Sequence, residues 1–164
     1  MSTTESTAHP NGLRQALAAD PLTPVEYLLR MVGAPDVHTR INLAGNPTTL
    51  SQGFEHIVPL VRDPDVRVRA ALAENLALMP AAASLLAEDT DWRVRRIIAA
   101  RRDTPVPLLA RLGRDREWRV REMVAGNPGT PDTVRERLRH DRDLHVRLMV
   151  IARAMQPDRG DHER

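Results

Sequence analysis

The chain of 164 residues contains no cysteine and no lysine. The first absence excludes disulfides, thiolate metal sites, cysteine-ligated iron–sulfur clusters and a cysteine nucleophile. The second makes all of the lysine/arginine charge arginine. Two accounts of that bias compete: codon usage in a GC-rich genome, and retention of guanidinium groups for bidentate contacts to carboxylate or phosphate. A net charge of +2 is small for a nucleic-acid binder and favours the codon account. Aromatic residues are scarce too, at 2%. One Phe, one Tyr and two Trp leave the core to Leu, Val, Ile, Ala and Met, which suits layers of short helices better than β-sandwiches. No apolar run is long enough to span a bilayer and none reads as a targeting segment, so the expected location is cytoplasmic.

What is present is a repeat. Asp63, Asp89, Asp115 and Asp141 each open a unit that reads Asp-x-acid-apolar-x-Val-Arg, at a period of 26 residues. A fixed period in this range marks stacked supersecondary units that bury a continuous core against their neighbours. The expected fold is an all-α solenoid of about five to six two-helix repeats, each an α-helix plus a short α- or 3₁₀-helix. Residues 1–12 carry no hydrophobic pattern and are expected to be a disordered tail. Residues 13–156 form the repeat domain, with an atypical first unit and an insertion of three residues before Asp63. Residues 157–164 form a second disordered tail.

Within a unit the punctuation suggests where helices start and stop. Asp63 reads as an N-cap, Pro64 as the first helical residue and Asp65 as a first-turn anion. Val68 and Leu72, Val94 and Ile98, Val120 and Val124, and Val146 and Val150 recur at i, i+4 and mark the buried stripe. Asn75 and Asn127 stand where a left-handed C-terminal cap is expected. Thr104-Pro105 and Thr130-Pro131 read as a cap followed by proline, starting the second helix.

The pattern Asp-x-acid-Trp-Arg-Val-Arg followed by Asn-Pro-x-Thr-Pro resembles the leucine-rich repeat variant family, a relative of HEAT and armadillo solenoids, and Asp115 to His140 is the best copy. The resemblance covers roughly residues 13–156 and implies a right-handed superhelix of alternating α- and 3₁₀-helices. Relatives can carry a cysteine-bound iron–sulfur module before the repeats; this chain has no cysteine, so that function does not carry over. Copies depart from the pattern where Leu50 stands for the second proline, Arg101 for Asn, and Leu78-Met79 for Thr-Pro.

Each unit sets an acid four residues before an arginine: Asp36 and Arg40, Asp65 and Arg69, Asp91 and Arg95, Glu117 and Arg121, Asp143 and Arg147. The spacing predicts pairs on one helix face, stacking into a structural ladder. Arg67, Arg93 and Arg119, two positions earlier, have no acid at that spacing and are expected to face solvent, with His38 and His145 in equivalent places. With Arg96, Arg101, Arg102 and further arginines between 111 and 142, they could form a basic strip that takes a phosphate backbone or an acidic protein. The distribution supports a basic end: residues 1–90 hold 6 Arg and 10 acids, a balance of −4, whereas residues 91–153 hold 16 Arg and 9 acids, a balance of +7. Trp92 and Trp118 share one repeat position with Val37, Val66 and Leu144, which reads as inter-repeat packing ahead of a base-stacking platform.

Signatures of catalysis are scarce. There is no glycine-rich phosphate loop, nucleophile elbow or His-Glu-x-x-His pattern, and the six histidines are scattered. Helical-repeat alkylpurine DNA glycosylases offer a catalytic analogy at the level of fold, to which only the two Trp and the arginines contribute. Arg159-Gly160-Asp161 matches an adhesion tripeptide by chance. The expectation is a non-enzymatic scaffold without cofactor or metal, binding a protein ahead of nucleic acid and not a membrane.

Overall fold

The computed structural model describes residues 10–155, and the two expected disordered tails, apart from residues 10–12, lie outside that range. The described residues hold eleven α-helices, one 3₁₀-helix and no strand, so the architecture is that of an α-solenoid. They divide into two compact units, up to Leu86 and from Ala87 onward.

In the first unit, α1 (Pro10–Ala19), α3 (Val37–Gly45) and α5 (Val66–Glu74) stack in one layer, and α2 (Val25–Arg30), η1 (Pro47–Gln52), α4 (Phe54–Val61) and α6 (Pro80–Leu86) form the other. Helix α1 starts at Pro10, three residues before the expected Leu13, with proline at the first helical position, where no intrahelical N–H bond is lost. The three-residue insertion before Asp63 is where the second segment divides into η1 and α4. The chain turns between them at Gly53, whose φ of 112° is open only to glycine without strain. In the second unit, α7 (Trp92–Ala100), α9 (Trp118–Gly126) and α11 (Leu144–Met155) stack, backed by α8 (Val106–Leu112) and α10 (Asp132–Arg139). Second segments are α-helical except at η1, so strict α/3₁₀ alternation does not hold.

The expected stripe is the core. Val68, Leu72, Val94, Ile98, Val120, Val124 and Val146 are fully buried, joined by Leu43, Leu109 and Leu138. Burying a Leu or Val side chain contributes about 1.5–3 kcal/mol, so the stacked stripes are the main stabilising term. Gly126 lets α9 and α11 approach closely: a Cβ there would stand 3.1 Å from the Met149 sulfur.

Three local expectations are corrected. The N-cap is the second acid of each unit: Asp65, Asp91 and Glu117 accept from the amides of Arg67, Arg93 and Arg119. The first acid instead folds the approach, because the Oδ1 of Asp63, Asp89, Asp115 and Asp141 accepts from the amide two residues on.

Asn75 and Asn127 are extended (φ −62° and −71°), not left-handed. Their side-chain amides cross to the preceding copy. Asn127 donates to the carbonyls of Ala99 and Arg101, both at 2.7 Å, and accepts from Gly129 N–H; Asn75 donates to Ala44 and Asn46 to Ala18 and Asp20. These buried groups use most of an amide's capacity, and a left-handed cap would point them away from the neighbour.

Thr104 and Thr130 do not cap the second helix. Their hydroxyls donate back to Ile98 and Val124, closing the end of the first helix, while Pro105 and Pro131 enter the second without a side-chain cap.

Candidate functional site: an arginine groove and an aromatic–arginine strip

The arginine at the end of the motif is buried and occupied, but not by the acid four residues before it. Arg121 Nε and Nη2 donate to the two oxygens of Asp141, in the next copy, at 2.7 and 2.8 Å, while Nη1 donates to the carbonyls of Asp115 and Arg116. Arg95 does the same with Asp115, and Arg40 with Asp63. Arg69 and Arg147 make the same backbone contacts within their own copies, to Asp63 and Asp141. The expected ladder is therefore corrected at Asp36–Arg40, Asp91–Arg95 and Glu117–Arg121. The second acid lies in the turn before the helix, its carboxylate spent on capping, whereas the next copy's first Asp meets the guanidinium fork edge-on.

The pairing makes these carboxyls more acidic than usual. Burial pushes the Asp115 and Asp141 carboxyls up, but the Arg95 and Arg121 forks and the turn amides outweigh it and leave both below the usual carboxylate range. Asp65, hydrogen-bonded by Arg67, is lowered to about 2. A depressed folded pKa contributes stability that is present above the unfolded value, near 3.9, and is lost as pH falls through the folded one. Thermal midpoints should therefore be flat from about pH 8 to 5 and fall below about pH 4. Circular-dichroism melts across that range check this, and a midpoint unchanged down to about pH 2 would contradict it.

The second acid of each unit also answers the outward row. Arg67, Arg93 and Arg119 are exposed but each pairs with the acid two residues before it: Asp65 at 2.7 Å, Asp91 at 3.2 Å and Glu117 at 2.9 Å. Their expected freedom is thus corrected, because a side chain in the first helical turn folds back to the cap. His38 and His145 sit against Asp36 and Asp143 in the same way.

In the unit from Ala87 onward the row carries both tryptophans, half-buried. Arg93 lies 5.2 Å over the Trp92 ring, Arg119 lies 5.2 Å from Trp92 and 4.5 Å from Trp118, and His145 stacks on Trp118 at 4.7 Å. Copies thus alternate ring and cation, each contact contributing about 0.5–1 kcal/mol at exposed sites. Arg96 is exposed one turn further along α7. Arg101 and Arg102 lie past the far end of that helix and do not join the strip; the Arg101 guanidinium is buried against Asp103.

Arginines named only as sequence neighbours of the strip converge elsewhere. A groove of about 440 Å³ is lined by Gly113, Arg114, Arg116, Arg137, His140 and Arg142, with paired Asp115 and Asp141 at its floor. Among the described residues Arg114, Arg116, Arg137 and Arg142 form no ion pair; Arg116 and Arg142 donate only to the carbonyls of Thr90 and Arg116. Arg137 is the unusual one. Its Nη2 is buried without a partner among the described residues and lies 2.8 Å from where a Cβ on Gly113 would stand, so a side chain at 113 would displace it. Burial, then repulsion from Arg114, pulls its pKa below the ordinary guanidinium value. The signal available in the sequence was the Gly-Arg dipeptide at 113–114, where the other copies carry no glycine.

The description of the leucine rich repeat variant matches residues 118–143, the copy that holds Arg121, Asn127 and Asp141. A solved structure, "A leucine-rich repeat variant with a novel repetitive protein structural motif", superposes with a TM-score of 0.68 at 26% identity. The copy at residues 118–143 is a leucine-rich repeat variant repeat, and the chain is similar in fold to a solved structure of that kind. Eighty-eight per cent of this chain is covered in that superposition, which spans 56% of the other chain. No curated protein matches it. Among the described residues no helix is long and apolar enough to cross a membrane, and no cluster of His, Asp and Glu could hold a metal ion.

Proposed function

We propose that this helical-repeat protein is a non-enzymatic scaffold that binds a protein partner, gripping acidic side chains in the groove of Arg114, Arg116, Arg137 and Arg142. The observation that carries this reading is the division of labour among arginines. Those of the outward row carry their own acids at the helix caps, and a neutralised row releases few counterions from a phosphate backbone. Among the described residues those of the groove have no carboxylate of their own and leave Arg137 Nη2 buried without an acceptor, an arrangement in which an incoming carboxylate finds a preorganised donor set. The rings of Trp92 and Trp118 are in contact with Arg93, Arg119 and His145, which speaks against base stacking and the glycosylase analogy.

Fluorescence anisotropy tests it with labelled duplex and single-stranded DNA and RNA over a salt series, beside affinity capture by wild type and by Arg114→Glu/Arg137→Glu. The expected result is no micromolar nucleic-acid binding near physiological salt, and a captured protein lost with the double variant. Micromolar binding with a steep negative salt slope, abolished in Arg93→Ala/Arg119→Ala, would replace the protein by nucleic acid.

A further inference from the structure

One copy before the arginine groove, the same repeat positions hold a finished ion pair. At the 26-residue period, Gly113, Arg114 and Arg137 correspond to Ala87, Glu88 and Arg111. There the Arg111 guanidinium donates to the Glu88 carboxylate, and both line one surface groove. In the next copy arginine stands in place of that acid, so the groove holds two guanidiniums where its predecessor holds a cation and an anion. Among the described residues neither Arg114 nor Arg137 has an ion-pair partner. Arg137 Nη2 is buried without an acceptor in the space that Gly113 leaves and that Ala87 would narrow. Burial first, and the charge of Arg114 second, disfavour the Arg137 cation, with Asp141 opposing them. The floor does not discharge the pair, because Asp115 and Asp141 each give both oxygens to the forks of Arg95 and Arg121. Arg116 and Arg142 add further positive charge, exposed and tethered through Nη2 to backbone carbonyls. The groove therefore lacks more than the single negative charge that Glu88 supplies to Arg111.

We infer that the acidic side chain taken by this groove is a phosphorylated one, a phosphoserine or phosphothreonine of the partner protein, with Arg114 and Arg137 donating to its phosphoryl oxygens. This rests on the groove reading above and adds the chemistry of the ligand. A carboxylate brings one charge and two oxygens, which occupies one guanidinium fork, as Asp141 does for Arg121. A phosphomonoester brings about −1.5 to −2 charges at pH 7 and three acceptor oxygens, enough to serve two forks at once and to reach the orphaned Nη2. A nucleic-acid backbone carries one charge per phosphate and matches the pair no better than a carboxylate.

The probes are fluorescein-labelled Gly/Ser peptides that differ at one residue, phosphoserine, O-methyl-phosphoserine, Glu or Ser, titrated by anisotropy against the full chain near pH 7.5, where the monoester is a dianion. The phosphoserine peptide should saturate about tenfold or more tighter than the Glu and methyl-diester peptides, and the Ser peptide should not bind. Inorganic phosphate should displace it only about tenfold or more above the peptide's own Kd. Arg114→Glu, which restores the charge pattern of Glu88 and Arg111, should abolish binding while the thermal midpoint equals or exceeds that of wild type. Arg137→Met keeps the aliphatic stem and should weaken binding about tenfold or more; it carries the test should the Arg114→Glu midpoint fall. Arg93→Ala/Arg119→Ala should leave binding unchanged. A Glu peptide bound as tightly as the phosphopeptide, with both lost in Arg114→Glu, overturns the phosphate while the groove reading stands. A methyl diester or inorganic phosphate bound as tightly as the phosphopeptide also overturns it, since the ligand is then a nucleic-acid backbone or the free anion. So does phosphopeptide binding indifferent to both Arg114→Glu and Arg137→Met. Absence of saturation by any acidic peptide overturns the groove reading with it.

Discussion

Replacing Arg121 with alanine is expected to destabilise the unit from Ala87 onward by about 3–5 kcal/mol, the cost of stranding one half of a buried ion pair. The Arg121 and Asp141 side chains are 6% and 9% exposed. Without the guanidinium, the Asp141 carboxylate keeps only the Asp143 amide, and the carbonyls of Asp115 and Arg116 lose a donor. Truncation also removes a long aliphatic stem from between α9 and α11. Arg121→Lys should recover little, because an ammonium group cannot serve two carboxylate oxygens and two carbonyls from a planar fork. Arg121→Met combined with Asp141→Leu should recover much of the loss, since a pair replaced by apolar groups leaves no charge stranded. Denaturant and thermal melts followed by circular dichroism read all four chains. Repeat arrays can unfold copy by copy, so a broadened transition is expected with the lower midpoint. An Arg121→Ala protein that melts with the wild type would show that the clip contributes no net stability.

Asn127→Ala should cost about 2–4 kcal/mol, because it strands two buried acceptors and one turn amide at once. The side chain is the bolt between α9 and the copy before it, reaching the carbonyls of Ala99 and Arg101. Asn127→Asp is the sharper variant. It preserves shape and still accepts from Gly129, but it turns a carboxylate toward two carbonyls in place of an NH₂ group. A loss equal to or greater than that of alanine is expected at neutral pH, recovering in part as the carboxyl is protonated. Equal stability of Asn127→Asp and wild type would mean that the amide donors are not needed and that shape alone holds the copies together.

Much of the fold was legible because its signals are local and periodic. The valine and leucine stripe, the 26-residue period and the helical class follow from side chains that must recur every three or four residues to reach a common core. Of the candidate site, less was legible. Arg93 and Arg119 were expected to face solvent and Trp92 and Trp118, one position earlier in each copy, to pack between repeats; the structure brings the four together. Their capping acids were overlooked, because a contact between i and i+2 does not exist within a helix and arises only where the first residue lies in the turn before it. The groove was overlooked as a place because Gly113 and Arg137 are 24 positions apart in the chain, and no periodicity links them.

The division has a physical basis. By itself the residue string determined the repeat, the helical layers and the buried stripe, all consequences of hydrophobic spacing and chain punctuation. Tertiary structure alone decided the partner of each arginine. The acid four residues away was spent at a helix cap, and the carboxylate with free lone pairs facing the guanidinium edge belonged to the next copy, 20 residues on. Whether an acid is near in sequence and whether its oxygens point at a donor are separate facts, and only stacking the copies sets the second.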